Sequence, residues 1–178
     1  MTKTTKEINL PLNNCGECSL YQEQTHNPHN YWGNLNQPDV LFIGEAPGAA
    51  EQQTGLAFQG RAGKLLQKTL KEIGIDDYAI ANVVACRPEG TNAYGKVIDR
   101  KPTSTEIRHC FDNLDAIINH IKPKYIVALG ATACTRLKVK GGITAVRGVM
   151  CQTPYGQVLP IFHPAYILRS PNFKVEFK

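Results

Sequence analysis

Four residues of different chemistry sit at places in this chain where the sequence reads as a turn or the end of a strand. Glu45 lies in "GEAPG" (44–48), directly after the apolar run "DVLFIG" (39–44). Phe58 stands between small and polar residues in "TGLAFQG" (54–60), Asn82 falls inside "YAIANVV" (78–84), and His163 follows "VLPIF" and precedes Pro164. Together they suit a pocket for one flat heterocycle. A ring can stack on such a molecule, and amide, imidazole and carboxylate groups can hydrogen-bond to it. Each also has an ordinary role. Glu45 reads as a solvated turn residue, Phe58 as a cap on the core, Asn82 as a satisfied strand end and His163 as a packed histidine.

A second set is the six cysteines: Cys15, Cys18, Cys86, Cys110, Cys134 and Cys151. "CGEC" (15–18) has the spacing of a bidentate metal ligand. Redox pairs share that spacing, but they expect a preceding strand, and the segment before Cys15 lacks one. Cys86 opens a polar stretch just after a β-rich run, and Cys110 lies in the next helical pattern. Cys134 and Cys151 read as packed cysteines. Four thiolates hold either zinc or an iron–sulfur cluster.

The elements that must position these groups are legible as short apolar runs alternating with helical patterns. The runs 39–44, 78–84, 125–130 and 158–163 are nearly continuous in apolar residues, as strands covered on both faces are. Residues 61–74 place Leu65, Leu66, Leu70 and Ile73 on one helical face. Residues 103–121 read as one helix, with Thr103 and Glu106 at capping-box spacing and Pro123 just beyond its end. Residues 131–138 give a shorter helix. This alternation predicts a parallel, three-layer α/β sheet, with ligands at the carboxyl ends of its strands. Residues 86–102 read as a long polar loop without periodicity.

Composition sets the frame. The chain has 178 residues, 42% of them hydrophobic, which predicts a single domain over 1–178. No apolar run approaches the ~20 residues of a membrane span. "MTKTTKEINLPLNN" has no apolar core of a secretion signal, so a cytoplasmic protein with reduced or metal-bound cysteines is expected. The net charge of +5 is uneven: residues 1–59 hold two lysines against six acids, and residues 60–178 hold eighteen basic residues against nine acids. A basic half fits a polyanionic partner such as DNA, or simply a solvated surface.

Taken together, "CGEC", "GEAPGAAEQQTGLAFQGRAGKLL", "NVVACRP", "KPTSTEIRHC", "IKPKYIVALGATA", "VRG" and "FHPAYILR" resemble the family 4 uracil-DNA glycosylases, in order and over residues 15–169. The resemblance implies a uracil-DNA glycosylase-like α/β/α sandwich around a four-stranded parallel sheet. It also implies a [4Fe–4S] cluster on Cys15, Cys18, Cys86 and Cys110, and hydrolysis of the N-glycosidic bond of flipped-out uracil in DNA. Position by position, it implies catalytic roles for Glu45 and His163. It places Gly44, Ala46, Glu51, Phe58, Asn82 and Arg169 with the substrate, Glu51 excluding the methyl group of thymine. Flipping a base costs a few kcal/mol, and stacking on a ring such as Phe58 returns roughly 1–3 kcal/mol. Backbone N–H groups of Ala46–Gly48, and Arg169, are expected at phosphates.

The chain departs from that family's pattern in three places. Twenty-three residues separate Cys86 from Cys110, more than is usual. The extra segment 89–101 contains no histidine, so covalent trapping of uracil, as in a related branch, is not expected. Lys96, Arg100 and Lys101 are expected to meet phosphate there, and Tyr94 to stack on a base. Ala49, Ala50 and Gln52 stand where acids are usual. Only nine residues follow Arg169, which suggests a replication or repair partner covering that end of a protein otherwise expected to be monomeric. Two alternatives to the enzyme remain: a non-cutting iron–sulfur DNA-binding module joined to a phage-type DNA polymerase, and a zinc protein that binds nucleic acid.

Overall fold

The computed structural model describes residues 15–22 and 31–170. The expectations placed on the first fourteen residues and on the segment after Ser170 lie outside the described residues.

A 3-10 turn at Cys15–Glu17 and helix α1 (Ser19–Gln22) precede strand β1 (Tyr31–Gly33). Then come β2 (Val40–Gly44), α2 (Ala49–Thr54), α3 (Arg61–Glu72) and β3 (Tyr78–Asn82). A hairpin of β4 (Glu89–Thr91) and β5 (Val97–Asp99) leads to α4 (Ser104–His109), α5 (Phe111–Ile121) and β6 (Tyr125–Leu129). The chain continues through α6 (Ala131–Arg136), α7 (Ile143–Val146), β7 (Cys151–Thr153), β8 (Gly156–Ile161) and α8 (Pro164–Arg169).

The main sheet has the order β1-β3-β2-β6-β8-β7. The four strands anticipated from the sequence are its parallel centre, β3-β2-β6-β8. Two short antiparallel edges extend it to six: β1 on β3 and β7 on β8. Three-residue strands carry too little pattern to be read in advance.

Alternate residues of the central strands feed two separate cores, as the period-2 geometry of a strand requires. Leu41, Ile43, Ala79, Ala81, Ile126 and Ala128 point into one core with Leu114, Ile118 and Ile121 of α5 and Ala133 and Leu137 at α6. Phe42, Ile80, Val127 and Leu129 point into the other with Leu66 and Leu70 of α3, against which α8 packs. Helices on both faces make the molecule an α/β/α sandwich.

The helix expected over 103–121 is broken. Thr103 caps α4 as anticipated, its Oγ1 accepting the Glu106 N–H at 3.2 Å while Glu106 accepts the Thr103 N–H at 2.7 Å. At Cys110 (φ −86°, ψ 2°) the chain leaves helical geometry and starts again as α5. The expected loop 86–102 is corrected too. It holds the β4–β5 ribbon, whose Asn92 Oδ1 accepts the N–H groups of Tyr94 and Lys96 at 3.0 Å each. That closure uses a longer turn, without the Asn-Gly signature that marks two-residue hairpins.

Candidate active site

Strand β2 lies between β3 and β6: the β2-to-β3 crossover runs one way across the sheet, and the connection from β3 to β6 returns past β2 to its other side. Ligands bind open α/β sheets outside such a reversal, at the carboxyl ends of the strands. A cleft of about 810 Å³ opens there. Its walls include Glu45, Ala46, Glu51, Phe58, His163 and Arg169, which the sequence had placed far apart. Gly44 and Asn82 are not on the walls. They lie behind them, opposite each other in the β2–β3 register. Gly44 has no side chain because there is no space for one: a Cβ there would stand 2.6 Å from Phe58 Cζ and closer still to Asn82 Oδ1. Asn82 is 4% exposed, so packing holds its amide.

Phe58 adopts a left-handed backbone (φ 57°) unusual for a bulky residue. Its carbonyl accepts Gln67 Nε2–H at 2.9 Å, and a side chain at Gly63 would collide with the Phe58 backbone. The first turn of α3 therefore fixes where this ring stands. The ring packs 5.7 Å, centroid to centroid, from the His163 imidazole.

His163 caps α8. Its Nδ1 accepts the Ala165 N–H at 3.1 Å, so Nδ1 carries no proton and the neutral ring carries its hydrogen on Nε2. Burial, aided by the nearby Arg169 charge and opposed by Glu51, lowers its pKa to about 4. The imidazole is thus a neutral donor at physiological pH. Gly130 (φ 91°) lets the β6 end come close, since a Cβ there would lie 3.2 Å from His163 Cβ.

Glu45 accepts a short hydrogen bond from Thr132 Oγ1 at the start of α6. Thr132 bears no mark in the sequence beyond its place just after "LG" at a strand end. Glu51 ties two backbone segments, accepting Gly60 N–H at 2.7 Å and Gly48 N–H at 3.1 Å. The expectation that the whole Ala46–Gly48 turn faces phosphate needs correction: Pro47 has no N–H and that of Gly48 goes to Glu51, which leaves Ala46. Arg100 is corrected as well. It lines the cleft, but its guanidinium is committed to Glu106, at 2.9 and 2.6 Å, and to the Glu89 carbonyl at 2.8 Å.

Cys15, Cys18, Cys86 and Cys110 come from three parts of the chain and feel one another's charge. Burial first, then Cys110, Cys15 and Cys18, push the Cys86 thiol up to about 12. Asn113 Nδ2–H donates to Cys15 Sγ at 3.6 Å, and the Ala85 backbone bonds to Cys110. Cys18 and Cys110 are buried and Cys15 and Cys86 half-buried, and burial makes Cys15, Cys86 and Cys110 costly to ionise alone; with the amide donors, the four thiols form a donor set that a cationic cluster would complete. Among the described residues no three Cys, His, Asp or Glu side chains are grouped to hold a single metal ion. Cys134 is raised to about 11 by burial and lies apart, on the core-facing side of α6.

The family model described as the uracil DNA glycosylase superfamily matches residues 31–178. The type-4 uracil-DNA glycosylase of Thermotoga maritima is 42% identical over 161 residues, covering 88% of this chain and 79% of that protein. The type-4 uracil-DNA glycosylase of Sulfurisphaera tokodaii is 36% identical over 181 residues, 95% of this chain and 78% of that protein. A DNA polymerase of Bacillus phage SP01 is 29% identical over 138 residues, 76% of this chain but 14% of the polymerase. With its sheet, its cleft and these matches, the chain belongs to the uracil-DNA glycosylase superfamily and, within it, to the type-4 uracil-DNA glycosylases.

Proposed function

We propose that the chain hydrolyses the N-glycosidic bond of uracil in DNA, with the uracil flipped into the cleft against the wall that carries Phe58 and His163. The observation that carries the reading is the protonation pattern of His163. Its Nδ1 is engaged by α8, it is neutral near pH 7, and Nε2–H is the donor left for the cleft. Uracil stacks on Phe58, and the Asn82 amide, which stands behind the wall beside that ring, meets its edge once the base is seated. As the C1′–N1 bond breaks, the electron pair leaves with uracil, and His163 stabilises the charge growing on a carbonyl oxygen. The sugar becomes oxocarbenium-like, as in other glycoside cleavage. Glu45, oriented by Thr132, steadies that cation and directs the water that adds to C1′. The products are free uracil and an abasic site. Ala46 N–H and Arg169 bind phosphate. Glu51 occupies the space beside C5 that a thymine methyl would need, so Glu51→Ala admits thymine if the turn it ties stays in place.

Cys15, Cys18, Cys86 and Cys110 hold a [4Fe–4S] cluster in this reading, and the cluster supplies structural cross-linking rather than chemistry on the base. Purified protein is then brown with a broad visible band. Cys86→Ala bleaches it and Cys134→Ala does not; a full cluster in Cys86→Ala refutes the assignment. The function is tested by incubating the protein with uracil-containing DNA and then treating with alkali. Strand cleavage at uracil is the expected result, and intact strands would overturn the reading. The module that binds without cutting is not favoured, because the relatives matching most of this chain are named as glycosylases. A protein partner at the C-terminal end concerns residues outside those described, and no described helix is long and apolar enough to cross a membrane.

A further inference from the structure

The charges at the base of the β4–β5 hairpin are paired inward. Glu89 and Asp99 face each other in register, where like charges repel. Arg87 bridges them, with Nη1 2.6 Å from Glu89 Oε1 and Nε 2.6 Å from Asp99 Oδ1, and it reaches Gln52 of α2 at 3.1 Å. Arg100 closes the other side on Glu106 at 2.6 Å. A two-stranded ribbon alone is marginal in water, so these pairs and the Asn92 turn hold it in shape.

What the ribbon presents outward is different. Tyr94, at its tip, is 95% exposed. Lys96 and Lys101 are exposed and enter no ion pair among the described residues. Val97 and Ile98 on the second strand are also exposed. Burial does not explain a ring placed in solvent at the tip of a ribbon shaped by three ion pairs and a closed turn. The foot of the ribbon, Asp99–Lys101, is part of the cleft wall, so the ribbon rises from the rim where a bound strand must leave.

We infer that this ribbon is a second nucleic-acid contact, outside the uracil cleft, in which Tyr94 stacks on an unpaired base of the same strand and Lys96 and Lys101 meet its phosphates. The inference rests on the glycosylase reading for the identity of the strand and deepens it by naming the substrate class. A ring can stack only on a base with an open face. Single-stranded DNA offers such faces without unpairing, and duplex DNA does not. The ribbon therefore selects single-stranded over duplex substrate.

The test is binding of the full chain to labelled, uracil-free single-stranded and duplex oligonucleotides across a salt series. Tyr94→Ala should weaken single-strand binding by roughly 5- to 150-fold, the range for loss of one stacked base. It should weaken duplex binding far less, with an unchanged salt slope, and Tyr94→Phe should restore affinity. Changing Lys96 and Lys101 together to Ala should lower the single-strand slope of log affinity against log salt by roughly 1.4, since each phosphate contact contributes ~0.7. Tyr94→Ala binding single strands as the unaltered chain does would overturn the inference and hand the ribbon to a protein partner. Alkali cleavage of uracil DNA by the unaltered chain is read alongside. Absence of cleavage with these binding losses intact would sink the glycosylase reading and leave the ribbon standing.

Discussion

Phe58 is 5% exposed and Tyr94 is 95% exposed, yet both belong to segments that reach one cleft. The wall carrying Phe58, with Asn82 and Gly44 behind it, is set by apolar packing and by close backbone approaches at Gly44 and Gly63. The ribbon carrying Tyr94 is set by ion pairs among Arg87, Glu89, Asp99, Arg100 and Glu106. Packing in a core is stiff because every displaced atom meets another. Ion pairs near the surface hold more weakly and yield to salt and pH. The wall proposed to position a reacting base is built the first way, and the arm inferred to gather a strand is built the second way.

Two glycines give the sharpest contrast. A Cβ at Gly63 falls on the Phe58 carbonyl carbon and oxygen, while a Cβ at Gly95 meets nothing and faces only the cost of its positive φ of 75°. Gly63→Ala should destabilise the protein by about 3 kcal/mol in urea unfolding, as overpacking does. Gly95→Ala should cost about 1 kcal/mol. Equal midpoints for the two variants would erase the distinction between wall and ribbon.

Within the wall, Thr132 tests whether Glu45 needs to be held. Thr132→Val keeps the shape and removes the hydroxyl, a hydrogen bond to a charged group worth about 2 kcal/mol. Single-turnover excision should slow by about 30-fold. An unchanged rate would mean that Glu45 is oriented without Thr132.

In the ribbon, Arg100→Met should cost about 2 kcal/mol at neutral pH, because Glu106 is 3% exposed and loses two donors. Arg100 is the first cause of the lowered Glu106 pKa. A carboxyl with a depressed folded pKa contributes stability above its unfolded value, and that contribution is lost as pH falls through the folded one. The gap between the unaltered chain and Arg100→Met should therefore shrink at pH 3. A constant gap from pH 7 to pH 3 would show that the guanidinium acts by packing alone.

A second pH-dependent effect is expected at His163. Its folded pKa of about 4 lies below the ordinary value of 6.5, so its contribution is complete above pH 6.5 and declines as pH falls toward 4. Protonation also removes the acceptor that caps α8. His163→Asn keeps a cap acceptor without a titrating group, and its melting temperature should fall less between pH 6.5 and 4. Parallel falls would place the acid sensitivity elsewhere.

The sequence alone determined the strands, because four short apolar runs between helical patterns have few ways to be buried other than as the centre of a covered parallel sheet. It singled out Glu45, Phe58, Asn82 and His163 as candidates as well, since they differ from what a bare turn or strand end requires. Tertiary structure decided what no local pattern encodes. Gly44 and Asn82 stand behind the cleft rather than on it, because strand register sets them opposite each other. Thr132 reaches Glu45 across 87 positions of chain. Arg100, which on charge alone reads as a phosphate ligand, turns inward because a buried carboxylate at Glu106 needs its charge compensated there. Charge, spacing and apolar period are properties of the chain, but which partner a side chain finds depends on what the fold brings within reach of it.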